Sequence, residues 1–149
     1  MFKILLALHL LFAIFAVGPL VHAATTASRG LRKGDAAAVG SSSRMVRIYS
    51  YASVLVVVIG FGLMSSKSPQ HPSKHVAEFS DTWIWLSALL WLVAVVLALV
   101  VLVPALDRAV TQIGAGTAVS SLVGRVAAVG GITGVIFAVI VFLMVYRPA

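Results

Sequence analysis

The chain contains no cysteine and only four acidic residues among its 149. Without cysteine there are no disulfides, zinc–cysteine sites, iron–sulfur clusters or thiol nucleophiles. Charged residues of both signs make up only 10% of the chain, too few to cover a soluble domain of this size. The scarcity of acids also leaves a proton-coupled transporter without its usual buried carboxylate. The sequence shows no Ser-His-Asp arrangement, paired carboxylates or glycine-rich phosphate loop, so we predict no catalytic residue.

What the chain has instead is apolar length: 61% of its residues are hydrophobic, and its mean hydropathy is +1.10. A helix needs about 20 apolar residues to cross the hydrocarbon core of a membrane. Four stretches qualify, at about residues 2–23, 45–64, 82–106 and 123–146. Short connections between successive helices favour antiparallel neighbours. The sequence therefore predicts an all-α integral membrane protein, one transmembrane domain over residues 1–149 folded as an up-down-up-down four-helix bundle.

The basic residues indicate how this bundle is oriented. Seven fall in the first and third connections or at their edges: Arg29, Arg32, Lys33, Arg44, Arg47, Arg108 and Arg125. Four fall on the other side: Lys3, Lys67, Lys74 and Arg147. The positive-inside rule places the first and third connections in the cytoplasm and both termini outside. The composition, rich in alanine, valine, leucine and glycine, indicates a bacterial plasma membrane. Because the basic residues lie between apolar runs, they indicate topology rather than nucleic-acid binding.

Three local features qualify this layout. Residues 1–23, ending in Val21-His22-Ala23, also resemble a secretory signal peptide, whose cleavage would leave three helices. Residues 24–44 are alanine, glycine, serine and basic residues and are predicted to be a solvated loop, and residues 65–81 an irregular one. Pro19 and Pro104 are expected to terminate their helices rather than to act as hinges.

Small residues predict the packing faces, because helices in lipid associate largely through close contacts. The predicted faces are His9, Ala13, Ala16 and Leu20 in the first helix; Ser50, Ser53, Val57, Gly60 and Met64 in the second; Ser87, Trp91, Ala94, Ala98, Val101 and Ala105 in the third; and Gly124, Ala127, Gly131, Gly134 and Ala138 in the fourth. Gly130 and Gly134 form a G-x-x-x-G pair, which defines an alternative face of the fourth helix.

His9 is the candidate cofactor-binding residue. It is an ionisable side chain inside the first apolar run, and such residues are functional candidates by default. Ala13 and Ala16 leave room beside the imidazole for another helix or a flat ligand. A neutral imidazole can ligate haem iron or another metal. The alternative is a histidine hydrogen-bonded across helices, to Ser53, Ser87 or a backbone carbonyl.

The remaining polar residues give weaker indications. His71 and His75 lie four residues apart in the outer loop, with methionines nearby, a combination that suits copper. Pro72 argues against a helix that would bring them together, so no metal site is predicted. His22 is expected in the aromatic belt at the inner interface. Asp107 and Arg108 are adjacent at the end of the third helix and are expected to form a solvated cluster at the interface. The alternative is that they pair with Arg125 or with lipid headgroups.

Residues Leu6-Ala7-Leu8-His9-Leu10-Leu11, followed by Gly18-Pro19, resemble the first helix of several small bacterial membrane families. The layout most resembles an uncharacterised family of four-helix integral membrane proteins, a domain of unknown function. More distantly it is similar to CopD-like copper-resistance proteins and HemJ-type protoporphyrinogen oxidases. The resemblance to the haem-binding relatives implies His9 as an axial ligand. Helices two to four here contain no histidine, and the tryptophan that precedes the glycine in copper-resistance relatives is absent.

Three hypotheses for function follow. The first is a non-enzymatic bundle or accessory subunit without a cofactor, whose partners are the lipid bilayer and either further copies of the chain or another membrane subunit. The second is a b-type haem or copper protein that uses His9. The third is a small transporter or channel.

Overall fold

A computed structural model describes residues 1–148 of the chain. Most of these residues belong to four long helices: α1 (Phe2–Lys33), α2 (Ala36–Met64), α3 (Thr82–Gly114) and α4 (Ser120–Tyr146). Across the described residues there is no β-strand. Each of the four helices is long and apolar enough to cross a membrane. The predicted all-α fold with four membrane-spanning helices is confirmed.

The helices form a closed ring, in which α1 packs against α2 and α4, and α3 packs against the same two helices from the opposite side. Each neighbouring pair is antiparallel. Near the start of α1, His9 contacts Gly60 near the end of α2, and on α4 Gly130 faces Ala24 in the second half of α1. The bundle is therefore up-down-up-down, as predicted.

Residues 24–44 are helical, so the prediction of a solvated loop was wrong. The first helix continues to Lys33 and the second begins at Ala36, which leaves a two-residue turn. Gly34 adopts φ +65°, a left-handed conformation that glycine takes without strain, and ends α1. Asp35 begins α2, because its side chain accepts a hydrogen bond from the Ala38 amide at 3.1 Å. Buried apolar residues at helical spacing, among them Ala27 and Leu31, hold the hairpin together.

Pro19 and Pro104 do not terminate their helices, contrary to prediction. In each case a π-helical turn precedes the proline, over Ala13–Val17 in α1 and Leu97–Leu102 in α3. The amide of Gly18 donates to the carbonyl of Ala13, five residues earlier. Proline lacks an N–H and its ring crowds the carbonyl four residues earlier. The wider turn takes up that disturbance and lets both helices continue.

The packing face of α4 differs from the main prediction and matches the alternative one. Its buried residues are Leu122, Val126, Gly130, Thr133 and Phe137. Gly124, Gly131 and Ala138, which belong to the predicted face, are exposed. A Cβ at Gly130 would lie 2.9 Å from the carbonyl carbon of Ala24 and closer still to its oxygen. The G-x-x-x-G pair is thus the surface on which α4 approaches α1.

The predicted faces of the other helices are largely confirmed. Ala16 and Leu20 are buried in α1, Ser50, Ser53 and Met64 in α2, and Ser87, Ala94, Ala98 and Ala105 in α3. In α3 the π-helical turn adds a residue, so the face continues from Ala98 to Leu102 rather than to Val101. The faces found from small residues therefore describe three of the four helices.

The connection of residues 65–81 is irregular, as predicted, but it is held in place. Lys67 and His75 form an isolated antiparallel bridge, and the Nδ1–H of His75 donates to the carbonyl of Ser65 at 2.9 Å. Buried Ala77 anchors the connection against Met64 and Ile84. The connection therefore caps this end of the bundle.

Candidate functional site

His9 lies in the first third of α1 and is half-buried against α2. Its Nδ1 lies 3.0 Å from the carbonyl oxygen of Val56 on α2. Because a carbonyl oxygen can only accept, Nδ1 carries the proton and donates it to this bond. In a neutral imidazole the other nitrogen, Nε2, then keeps its lone pair. The ring orientation is thus fixed: Nδ1 is hydrogen-bonded to the neighbouring helix, and the lone pair of Nε2 remains for a ligand.

Gly60 supplies the space that the imidazole occupies. A Cβ at this position would lie 3.1 Å from Cε1 of His9 and 3.5 Å from Nδ1. The first of these distances is tighter than ordinary van der Waals contact, so a side chain here would displace the ring. The sequence placed Gly60 on the packing face of α2, and the structure shows that it forms the seat for His9.

A second polar contact joins α2 to α3. The indole Nε1–H of Trp91 donates to Oγ of Ser53 at 3.0 Å, and Ser53 donates in turn to the carbonyl of Ser50 at 2.6 Å. Ser53 is fully buried. Its hydroxyl therefore forms its hydrogen bonds within the protein, because lipid cannot supply them. The hydroxyls of Ser50 and Ser87 are also buried and have no hydrogen-bond partner within residues 1–148.

Asp107 pairs with Ser43 and Arg47 of α2 and not with Arg125, which was the alternative prediction. Its carboxylate accepts from Oγ of Ser43 at 2.5 Å and from the guanidinium of Arg47 at 2.9 Å. Ser43 is buried, whereas the side chains of Arg47 and Asp107 are 53% and 51% exposed. This cluster fastens α3 to α2 at the end where the basic residues gather. Arg125 is exposed.

The remaining histidines do not assemble with His9 into a metal centre. His71 and His22 are exposed, and Nδ1 of His75 is bound to the carbonyl of Ser65. No group of three or more histidine, cysteine or acidic side chains with metal-binding geometry occurs in the described part of the chain. His9 is therefore a single oriented imidazole, not one member of a ligand set.

Beside the connection of residues 65–81 lies an open, mostly apolar depression of about 270 Å³. Its lining residues are Met64, Ser65, His75, Ala77, Glu78 and Phe79. Among these residues only Ser65, His75 and Glu78 carry polar side chains. This donor set is too small to hold a metal ion by itself.

The alternative prediction for His9, a hydrogen bond across helices to a backbone carbonyl, is confirmed, but sequence reasoning missed the partners of Asp107. Ser43 and Arg47 are four residues apart and so share a face of α2, a spacing that is visible in the sequence. This pair was not predicted as the partner of Asp107, because the segment before residue 45 was predicted to be a loop. The acceptor for His9 is a backbone carbonyl, and no side-chain pattern could have singled out Val56 as its residue.

No family model matches the chain, and neither do any curated proteins or solved structures. The resemblance of the first helix to copper-resistance and HemJ-type proteins stays a prediction.

Proposed function

We propose that this protein is a non-enzymatic four-helix bundle of the bacterial plasma membrane that serves as an accessory subunit of a larger membrane assembly. The observation that supports this most directly is that the side chain of His9 joins two helices. An ionisable side chain inside a membrane is a functional candidate because it is expensive to place there. Here the imidazole holds α1 against α2, because it packs against Gly60 and donates a hydrogen bond to the carbonyl of Val56.

The other contacts at membrane depth serve the same purpose. Trp91 and Ser53 brace α3 against α2, and Gly130 brings the backbones of α4 and α1 together. Thr133, which is fully buried, bonds back to the carbonyl of Val129 on its own helix at 2.8 Å. Of the interior polar groups, His9 and the pair of Ser53 and Trp91 therefore join one helix to another, which is the role expected of a scaffold.

The proposed orientation places both termini outside the cell. It rests on the excess of basic residues at the end formed by the 34–35 turn and the 115–119 connection. The absence of cysteine allows a direct test, because a single introduced cysteine is the sole thiol. In intact cells, an impermeant thiol reagent should label Ser73→Cys and spare Ser41→Cys until the membrane is opened. The reverse pattern would invert the topology.

The accessory-subunit proposal is tested by extraction in a mild detergent followed by native mass spectrometry. We expect a complex in which this chain has a fixed stoichiometry with a second membrane protein. A complex that survives Gly131→Ala, at an exposed position, but dissociates in Gly130→Ala would show that the assembly needs the intact bundle. A lone monomer with measurable turnover would reject the proposal.

A second candidate is a b-type haem or copper protein that uses His9, favoured by the open lone pair on Nε2. A backbone carbonyl that holds the Nδ1–H of a histidine is the usual companion of a metal-bound Nε2. Within residues 1–148 no group of three or more histidine, cysteine or acidic side chains forms a ligand set, so His9 would hold the haem iron or copper ion through Nε2, and the group would supply redox chemistry. A Soret band that is lost in His9→Ala and retained in His71→Ala would establish this function. A colourless, metal-free protein from haem-sufficient cells would exclude it.

A further inference from the structure

One end of the bundle carries most of its charge. We call it the basic end; it comprises the 34–35 turn, the 115–119 connection and the adjoining helix turns. Seven basic side chains lie there, all exposed and all on helices: Arg29, Arg32, Lys33, Arg44, Arg47, Arg108 and Arg125. Its two acids are occupied, Asp35 as the cap of α2 and Asp107 by Ser43 and Arg47.

Little of this positive charge is neutralised within the molecule. The pair between Arg47 and Asp107 is the only salt bridge among residues 1–148. At the opposite end four basic residues face two acids, Glu78 and Asp81, and Arg147 lies over the ring of Trp83, 5.6 Å from its centre. The basic end therefore presents an excess of positive charge that attracts anionic groups outside the chain.

The position of each basic residue along its helix, relative to the apolar run, indicates its depth in the membrane. Arg44 directly precedes the apolar run of α2, and Arg108 follows closely on that of α3; we call these two the inner pair. Arg32 and Lys33, the outer pair, end α1 beside the start of α2. Arg44 lies eight residues into α2, so the outer pair stands about 12 Å farther from the apolar core. The lipid headgroup layer is only about 5–7 Å thick, so it reaches the inner pair and not the outer one.

We propose that the inner pair binds the phosphate groups of anionic phospholipids in the leaflet at the basic end. A guanidinium donates two parallel hydrogen bonds to phosphate oxygens and keeps its charge at any physiological pH. Arg44 and Arg108 adjoin the residues of the cluster formed by Ser43, Arg47 and Asp107, which joins α2 to α3. This cluster therefore holds the two backbone segments beside each other, and both arginine side chains are exposed.

The test compares two double variants that remove equal charge from the same end. The full-length protein is purified in micelles that contain equal amounts of phosphatidylglycerol and phosphatidylcholine, and the retained lipids are quantified by mass spectrometry. For Arg44→Gln/Arg108→Gln we expect the preference for phosphatidylglycerol to fall about five-fold for each arginine removed. For Arg32→Gln/Lys33→Gln we expect a smaller fall, of about two-fold for each residue. The outer pair lies about 5–7 Å beyond the headgroup layer, too far for a hydrogen bond to phosphate but within the Debye length of about 8 Å, so only a screened attraction is lost.

The outcomes separate lipid from other anions. An equal loss in both double variants, or a larger loss in the outer one, would overturn the proposal, since it would indicate a diffuse field or a soluble acidic partner. Inorganic phosphate at millimolar concentration should leave the bound lipid in place, and its displacement would instead identify a site for free phosphate. Circular dichroism of both variants provides the folding control, because neither pair forms a salt bridge within the described residues.

Discussion

The contact between Gly130 and Ala24 allows a sharp test of how the bundle closes. In Gly130→Ala the new Cβ would lie 2.9 Å from the carbonyl carbon of Ala24, where an ordinary contact is at least 3.4 Å. The obstacle is backbone, which cannot rotate away as a side chain can. We therefore expect α4 to move from α1 by at least about 0.5 Å, the difference between these distances.

The energetic consequence follows from the packing that this separation disturbs. Overpacking a well-filled interior costs typically about 1–3 kcal/mol, and an immovable carbonyl places this case toward the upper end. Replacing glycine by alanine in a helix also contributes a favourable backbone term of roughly 0.5–1 kcal/mol. Gly131 is the matched control, because a Cβ there meets nothing within 4 Å. The backbone term is common to both variants, so their difference isolates the packing term, which we expect to be about 2–3 kcal/mol.

The assay is reversible unfolding in mixed detergent micelles, followed by circular dichroism or by steric trapping. We expect Gly131→Ala to be neutral or slightly more stable than the original protein and Gly130→Ala to be the least stable. Gly134→Ala should be intermediate, because its Cβ would lie 3.1 Å from a methyl group of Thr25 rather than from backbone. If Gly130→Ala and Gly131→Ala have the same free energy of unfolding, the proposed approach of α4 to α1 is wrong.

Three further predictions concern the contacts of α2. His9→Ala should lower the free energy of unfolding by about 0.6–1.7 kcal/mol, the range for hydrogen bonds between membrane helices. Gly60→Ala should have the same effect because it displaces the imidazole ring, and unfolding in mixed micelles measures both variants. No loss in either variant would mean that the imidazole does not stabilise the contact between α1 and α2. A double-mutant cycle of Ser53→Ala and Trp91→Phe should give a coupling energy of about 0.6 kcal/mol, and zero coupling would contradict the hydrogen bond between them. Asp107→Asn should lower stability by at most about 1 kcal/mol in low salt, because its salt bridge is half-exposed, and the effect should fade in high salt; a loss that persists in high salt would show that the hydrogen bond from α2 matters more than the charge.

Local sequence signals could have extended the correct predictions further. Alanine is the best helix former, and apolar residues at 24, 27 and 31 recur at helical spacing, so the hairpin before residue 45 was accessible to prediction. Asp35 followed by Ala36 is a helix-start signal of the same kind. Reading these residues as helix would have put Ser43 and Arg47 on one face and brought the partners of Asp107 within reach of prediction.

Other features depended on contacts between distant parts of the chain. The two glycine-containing faces of α4 are nearly equivalent as patterns, and only the position of α1 decides that Gly130 is buried and Gly131 exposed. The π-helical turn before Pro104 shifts the packing face of α3 by one residue. A helical period read from sequence assumes a regular α-helix and cannot anticipate that shift.

The four apolar runs and the short connections between them were enough to predict four antiparallel helices that are long and apolar enough to span a membrane, because few other folds satisfy the backbone in lipid. The sequence also singled out His9, since an ionisable side chain is conspicuous inside an apolar run. The contacts of His9 could be identified only from the tertiary structure. Its acceptor, the carbonyl of Val56, and its seat, the missing side chain of Gly60, come from a helix almost fifty residues away. Every residue has a backbone carbonyl, so the sequence does not show which carbonyl accepts a hydrogen bond or where a glycine leaves space for another side chain. Both can be seen only once the two helices are packed together.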